Sequence, residues 1–262
     1  MSTIVNERYN SIAEFQKALE RHEIGYQYNR ESTNVDFRGT KTHEEADKLL
    51  INGDTFTAKI IQGCNTQKKN NRTTNTIKQD FCGFVPNVGA VVSGSPINMY
   101  NVKQTTYRNT KVLNLVYFVG ASCTVDKKEL AAAGAKLLNV INTIEARGYK
   151  TNLFVAICFI PQINGRKRAD SRLNLAIKIK DSGKHLNITK IAYPIAHPSF
   201  FRRHCGLWVN TACKDATNSY TVTDTKELTV AADRICKGAK FVNFYTLSKQ
   251  SEEDILKYIL GW

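Results

Sequence analysis

The sequence lacks a membrane span, a leader pattern and every compact catalytic signature that spacing alone can show. Its longest apolar run, Leu113 to Val119, is interrupted by Asn114 and falls far short of the roughly 20 residues that cross a bilayer. The first residues, Met1-Ser2-Thr3-Ile4-Val5-Asn6-Glu7, carry neither a basic nor an apolar region, so no secretory signal is expected. The chain therefore reads as a cytoplasmic protein with no membrane partner. The seven cysteines, at 64, 82, 123, 158, 205, 213 and 236, are odd in number, and no pair has the spacing of a zinc knuckle or a redox motif. They read as reduced structural thiols, Cys123 and Cys158 lying in or beside apolar runs. A Gly-rich phosphate loop and a dinucleotide fingerprint are both missing, and Gly120-Ala121-Ser122 is not a nucleophile elbow. These absences predict no cofactor and no metal, and they lean against an enzyme.

Acid is also scarce. Asp and Glu number 23 against 37 Lys and Arg, a formal charge of +14. Such an excess attracts polyanions over a Debye length of about 8 Å, and nucleic acid is the commonest intracellular one. A basic face meeting an acidic protein is the alternative. What the chain does have is apolar content, 42% of its residues. A chain of this length buries roughly 75% of its unfolded surface, enough for a core without disulfides or metals.

The first 110 residues read as a helical and irregular extension packed on a core formed by residues 111–262. Ile12, Phe15, Ala18 and Leu19 have helical spacing behind Ser11. A second helix is expected from Thr42 to Ile51, with Glu45 placed for a capping box and Asn52-Gly53 as its stop. Asp54 caps a third, Thr55 to Gln62. Asn65 to Thr76 has no apolar residue and reads as an exposed loop. Glycines and prolines between Phe81 and Pro96 punctuate short turns.

The core is more regular. Val112 to Val119 is rich in β-branched and aromatic residues and predicts a buried strand. Asp126 caps a helix to Arg147, Gly148 ends it, and Leu153 to Ile160 is the next strand. Together they form a βαβ unit with parallel pairing. Leu173, Leu175, Ile177 and Ile179 alternate with Lys178 and Lys180, which predicts a strand near the sheet edge with one wet face. A helix from Lys226 to Cys236, a strand from Phe241 to Leu247 and a final helix capped by Ser251 complete the chain. The expected fold class is α/β, a mostly parallel sheet with flanking helices of Rossmann-like arrangement.

Three segments carry the candidate functional residues. In His197-Pro198-Ser199-Phe200-Phe201-Arg202-Arg203-His204, His197 and His204 are the available acid and base, and Arg202 and Arg203 have the fork geometry that clamps phosphate. The competing expectation is a turn whose phenylalanines pack inward while its arginines pair with acids. Arg166, Lys167 and Arg168, with Arg172, follow Asn164-Gly165 between two strands, a good place for phosphate contacts. The polar loop supplies Lys68, Lys69 and Arg72. Tyr26, Tyr28, Tyr100 and Tyr107 are candidate stacking platforms, although aromatics more often fill cores.

Two resemblances bear on these residues. Lys111 to Leu153 resembles the first strand–helix–strand of the von Willebrand factor A fold, whose first strand ends in Asp-x-Ser-x-Ser around a divalent cation. Gly120-Ala121-Ser122-Cys123-Thr124 corresponds to that motif. Ser122 and Thr124 keep the hydroxyls, but Gly120 replaces the ligating Asp, which implies a metal-free relative. More broadly, Phe37-Arg38-Gly39-Thr40, Pro86-Asn87-Val88, Gly94-Ser95-Pro96-Ile97-Asn98-Met99, Gly148-Tyr149 and His197 to Arg203 look like landmarks of an uncharacterised family of tailed-bacteriophage proteins. That resemblance implies a viral protein in the bacterial host cytoplasm or the virion. The resulting expectation is a non-enzymatic protein that contacts nucleic acid through basic loops with little sequence specificity. Its rivals are an interaction module for a phage or host protein, including an inhibitor of host defence, and a nuclease or phosphotransferase built on His197 to His204.

Overall fold

A computed structural model of the chain describes residues 4–20, 34–64, 74–105, 111–122 and 124–261. It begins with strand β1 (Ile4–Tyr9) and helices α1 (Ile12–Glu20), α2 (Val35–Arg38), α3 (His43–Asn52) and α4 (Thr55–Cys64). A small unit follows, made of β2 (Thr74–Asp80), β3 (Val85–Pro86), the short helix α5 (Val88–Val92) and β4 (Met99–Thr105). Next come β5 (Val112–Phe118), α6 (Lys127–Ala146), β6 (Lys150–Ile163), β7 (Arg166–Lys167) and β8 (Arg172–Lys180). The chain continues through α7 (Ile188–Ala196), a π-helical turn (Phe200–His204), α8 (Cys205–Ala212) and β9 (Ala216–Thr221). It closes with α9 (Thr225–Ile235), β10 (Lys240–Asn243), α10 (Phe244–Lys249) and α11 (Glu252–Leu260). No helix among the described residues is long and apolar enough to cross a membrane.

The strand–helix–strand unit is β5, α6 and β6, with β5 and β6 parallel from Val112 opposite Lys150 to Phe118 opposite Ala156. Asp126 starts α6 by accepting from the Glu129 N–H at 2.8 Å, and the Glu129 carboxylate accepts from the Asp126 N–H at 3.3 Å. This reciprocal box satisfies two donors that the first helical turn leaves without partners. Gly148 follows the helix at φ 89, a left-handed conformation open to glycine at little cost.

The sheet runs β1-β8-β6-β5-β10. Along that path β1–β8, β6–β5 and β5–β10 are parallel and β8–β6 is antiparallel. The fold is therefore α/β with a mostly parallel central sheet between helices. Strand periodicity sends alternate residues to opposite faces. Leu115, Tyr117, Leu153, Val155 and Leu175 pack with α6 and α7 on one face, while Val116, Phe118, Phe154 and Ala156 pack with α9 on the other. Burial on this second face pushes the Cys158 thiol up to about 12.

Three details depart from expectation. Residues 111–262 do not supply the whole sheet, because β1 adds its edge strand from Ile4–Tyr9. β8 is consequently interior, with both faces covered. Lys178 and Lys180 also point to opposite faces although they are two residues apart. An irregularity between Leu153 and Phe154 places Lys178 opposite Phe154 and Lys180 opposite Leu153. Lys180 thereby reaches under α6, bonding Glu145 at 2.6 Å and the Thr151 carbonyl at 3.1 Å. Finally, the strand expected to reach Leu247 stops at Asn243, whose side chain accepts from the Thr246 N–H at 2.7 Å and caps α10.

Candidate functional site

At 14 residues β6 outruns its neighbours, and its far half needs other partners. Phe159 to Ile163 pairs antiparallel with β9, and Gln162 and Ile163 pair with β7, so a three-stranded tongue extends from the sheet. Asn164 and Gly165 turn the β6–β7 hairpin at φ 50 and 75. Positive φ at both residues marks the tight turn whose twist matches that of paired strands, and Asn-Gly favours it. The Gln162 amide donates to the Gly165 carbonyl at 2.7 Å, and the Arg168 N–H donates to the Pro161 carbonyl at 2.9 Å. The turn is thus fixed by its own backbone, and Arg166, Lys167 and Arg168 are held in solvent.

Register gives the tongue a patterned face. Lys167 and Asn218 both lie opposite Gln162, and Tyr220 lies opposite Ile160 two residues away. Lys167, Gln162, Asn218 and Tyr220 therefore share one face. The Lys167 ammonium lies 5.4 Å from the centroid of the Tyr220 ring, which is 43% exposed. Exposed Lys214 precedes β9, and the nearest acids in sequence are Asp170 and Asp215. Four cations against two acids leave the tip net positive.

The His197–His204 segment lies in opposite surroundings. His204 is fully buried, its Nδ1 2.9 Å from the Tyr193 hydroxyl and its Nε2 2.8 Å from an Asp47 carboxylate oxygen. Arg203 is only 1% exposed and donates to the Thr40 carbonyl and, at 2.8 Å, to that of Lys41. The Ser199 hydroxyl donates to the Arg38 carbonyl at 2.6 Å. Arg202 lies against the rings of Phe37 and Phe201, at 4.4 and 4.8 Å, and donates to the carbonyls of Phe37, Ser122 and Val125. Close approach accounts for Gly39 at φ 82, since a Cβ there would lie within 3 Å of Pro198, Ser199 and His197 atoms.

Burial, reinforced by the Arg203 charge, lowers His43 to about 4, and burial lowers His197 to about 4. Burial also raises Tyr193 well above the ordinary tyrosine range. These groups stay neutral near pH 7. They form a clamp that ties residues 37–47 to the π-helical turn. An acid or base has to reach the proton it transfers, and the His204–Tyr193 centre of this network is closed to any substrate.

A family model for a domain of unknown function, DUF7192, matches residues 2–250. The chain belongs to this family. No curated protein and no solved structure matches it. In this DUF7192 chain the other candidate residues take varied places. Arg172 does not join the hairpin cations. Its guanidinium bonds Glu227 at 2.8 and 2.9 Å and the carbonyls of Ala169 and Ser171, so it ties β8 to α9. Arg202 and Arg203 bind carbonyls of the N-terminal segment where pairing with acids was the competing expectation. Lys68, Lys69, Arg72, Tyr26, Tyr28 and Tyr107 lie outside the described residues.

Gly120 of the DUF7192 chain has a packing reason. A Cβ there would fall 2.2 Å from Thr221 Cγ2, so the crossing of β9 leaves no room for the carboxylate that the cation-binding motif needs. Ser122 instead accepts from the Thr124 hydroxyl at 3.1 Å and donates its backbone N–H to the Tyr245 hydroxyl, also at 3.1 Å. Among the described residues no group of three His, Cys, Asp or Glu side chains is placed to hold a metal. Sequence reasoning missed Tyr220 at the hairpin. Its alternation within Ser219-Tyr220-Thr221 was a usable strand signal, but which strand it would pair with was not.

Proposed function

We propose that this DUF7192 protein contacts nucleic acid through the β6–β7 hairpin and β9, with little sequence preference. The observation that carries this reading is the triplet Arg166-Lys167-Arg168, exposed on a backbone-fixed turn with Lys167 over an exposed tyrosine. Cations at a loop tip follow phosphates and release counterions, which gives affinity without base readout. An aromatic face beside them stacks on any base of a single strand. The tailed-phage landmarks support a setting in replication, packaging or storage, in the host cytoplasm or the virion.

The test is binding of nuclease-treated protein to labelled single- and double-stranded DNA and RNA across a salt series. Submicromolar affinity with a steep negative salt slope is expected. Reversing Arg166 and Arg168 to Glu should weaken every sequence alike. Affinity that ignores both salt and the reversal removes the hairpin from this role. A second reading, an interaction module for another protein, draws on exposed apolar residues in the small antiparallel unit.

A further inference from the structure

The edge strand β1 has two unlike faces. Val5 and Tyr9 pack against the main core cluster, and Glu7 accepts from the Trp208 indole at 2.8 Å. Ile4, Asn6 and Arg8 point the other way and are exposed, Ile4 by 48%. That other face of the sheet is the one α9 covers, yet no residue of β1 joins the cluster that Val116, Phe154, Ala156 and Cys158 form with α9. Ile4, Asn6 and Arg8 therefore line an uncovered ledge beside α9 at the rim of the sheet.

Register puts this ledge on the same face as the hairpin cations. Arg8 lies opposite Ala176, and Ala176 lies opposite Ala156. Along β6, Phe154, Ala156, Cys158, Ile160 and Gln162 alternate onto one face, and Gln162 is the residue opposed by Lys167 and Asn218. Two contacts fix the assignment. The Arg8 guanidinium lies 4.6 Å from the centroid of the Phe154 ring, and the Asn174 amide donates to the Asn6 side-chain oxygen at 2.8 Å. From the row of Gln162 to the row of Ala156 is about 20 Å at the rise of a strand.

The acids near this path are already occupied. Glu227 bonds Arg172, which lies opposite Ile4, at 2.8 Å. Asp181 is outnumbered by Lys178 and Lys184, at 2.6 and 3.6 Å. Arg8 pairs with no carboxylate among the described residues. A guanidinium held against a ring keeps its charge and gives up little further freedom on meeting a phosphate.

We propose that a single strand of nucleic acid bound at the hairpin continues along β1, with Arg8 meeting a phosphate and Ile4 and Asn6 beneath the strand. This rests on the nucleic-acid reading and extends its surface from the tongue to the rim of the sheet. A strand stacked at about 3.4 Å per nucleotide covers the path with about six.

The test is binding of the nuclease-treated full chain to labelled oligothymidylate and oligouridylate of about 12 nucleotides, twice the path, across a salt series. Arg8→Gln should weaken both at least about threefold and lower the salt slope by about 0.7, the share of one phosphate on a single strand, with the melting temperature unchanged. Arg8→Lys, which keeps the charge, should keep the wild-type slope. Hydroxyl-radical oxidation read by mass spectrometry needs no variant: bound oligothymidylate should shield Ile4 as well as Tyr220. Binding that falls when Arg166 and Arg168 are reversed, yet ignores Arg8→Gln and leaves Ile4 as reactive as before, overturns the extension and leaves the hairpin reading standing. A lowered melting temperature with an unchanged slope makes Arg8 a cover for Phe154 and overturns it too. Absent binding of either oligonucleotide at physiological salt overturns both.

Discussion

Arg202 and Arg203 stand side by side on a π-helical turn and give their N–H groups to main-chain carbonyls of residues 37–41 and 122–125. Arg166 and Arg168 stand at a hairpin tip in solvent. As sequence, the two pairs are hard to tell apart, each lying in a short basic run beside aromatic or turn residues. Their surroundings give them different work. A buried guanidinium needs acceptors; Arg203 reaches two carbonyls through Nη2 and so ties the segments, while its Nε and Nη1 lie buried without an acceptor among the described residues. An exposed one keeps its donors and its field for a partner. The inner arginines therefore bear on stability, and the outer ones are the pair on which the proposed nucleic-acid contact rests.

The largest effect should come from the inner cluster. Arg203→Met leaves the carbonyls of Thr40 and Lys41 without their donor and should cost about 3 kcal/mol of unfolding free energy. Urea denaturation checks this, and a loss below about 1 kcal/mol erases the distinction between the two clusters. Acid should act on the same place. His43 and His197 sit near pKa 4 when folded, against 6.5 for an ordinary histidine. As pH falls, the unfolded chain takes up protons first, so stability is full above about 6.5 and declines down to about 4. The urea midpoint should be lower at pH 5 than at pH 7, and His43→Gln should flatten that dependence.

The outer cluster should give smaller changes of another kind. Arg166→Glu with Arg168→Glu should leave the melting temperature unmoved, weaken nucleic-acid binding about tenfold and reduce the salt slope by about 2. A shifted melting temperature would make these arginines structural as well. Smallest of all, Tyr220→Ala should cost about 1 kcal/mol of single-strand affinity and leave the salt slope as it was. Equal losses on duplex and single strand would count against stacking.

Much of this molecule was legible beforehand where local chemistry decides. Asp126 with Glu129, Thr42 and Ser251 announce helix starts because their side chains accept from N–H groups three residues on. Asn164-Gly165 announces a tight hairpin because both residues tolerate positive φ. The role of Lys180 was not legible. Its turn toward Glu145 depends on an irregular pairing between two strands, and no local pattern encodes it. β1 escaped notice for a related reason, since Ile4-Val5-Asn6-Glu7-Arg8-Tyr9 has little hydrophobic signal and becomes a strand by pairing with β8.

The site divides in the same way. Sequence alone determined that the protein is basic and α/β, that its hairpin tip carries three cations, and that its compact metal and phosphate motifs are missing. Charge, periodicity and turn chemistry are properties of neighbouring residues. Only the tertiary structure decided which cations remain available. His204 meets Asp47 across 157 positions and Arg203 meets Thr40 across 163. Lys167 finds Tyr220 only because β7 and β9 flank the same long strand. A charged side chain is spent or left in solvent according to what distant segments bring against it, and that partner is chosen by packing.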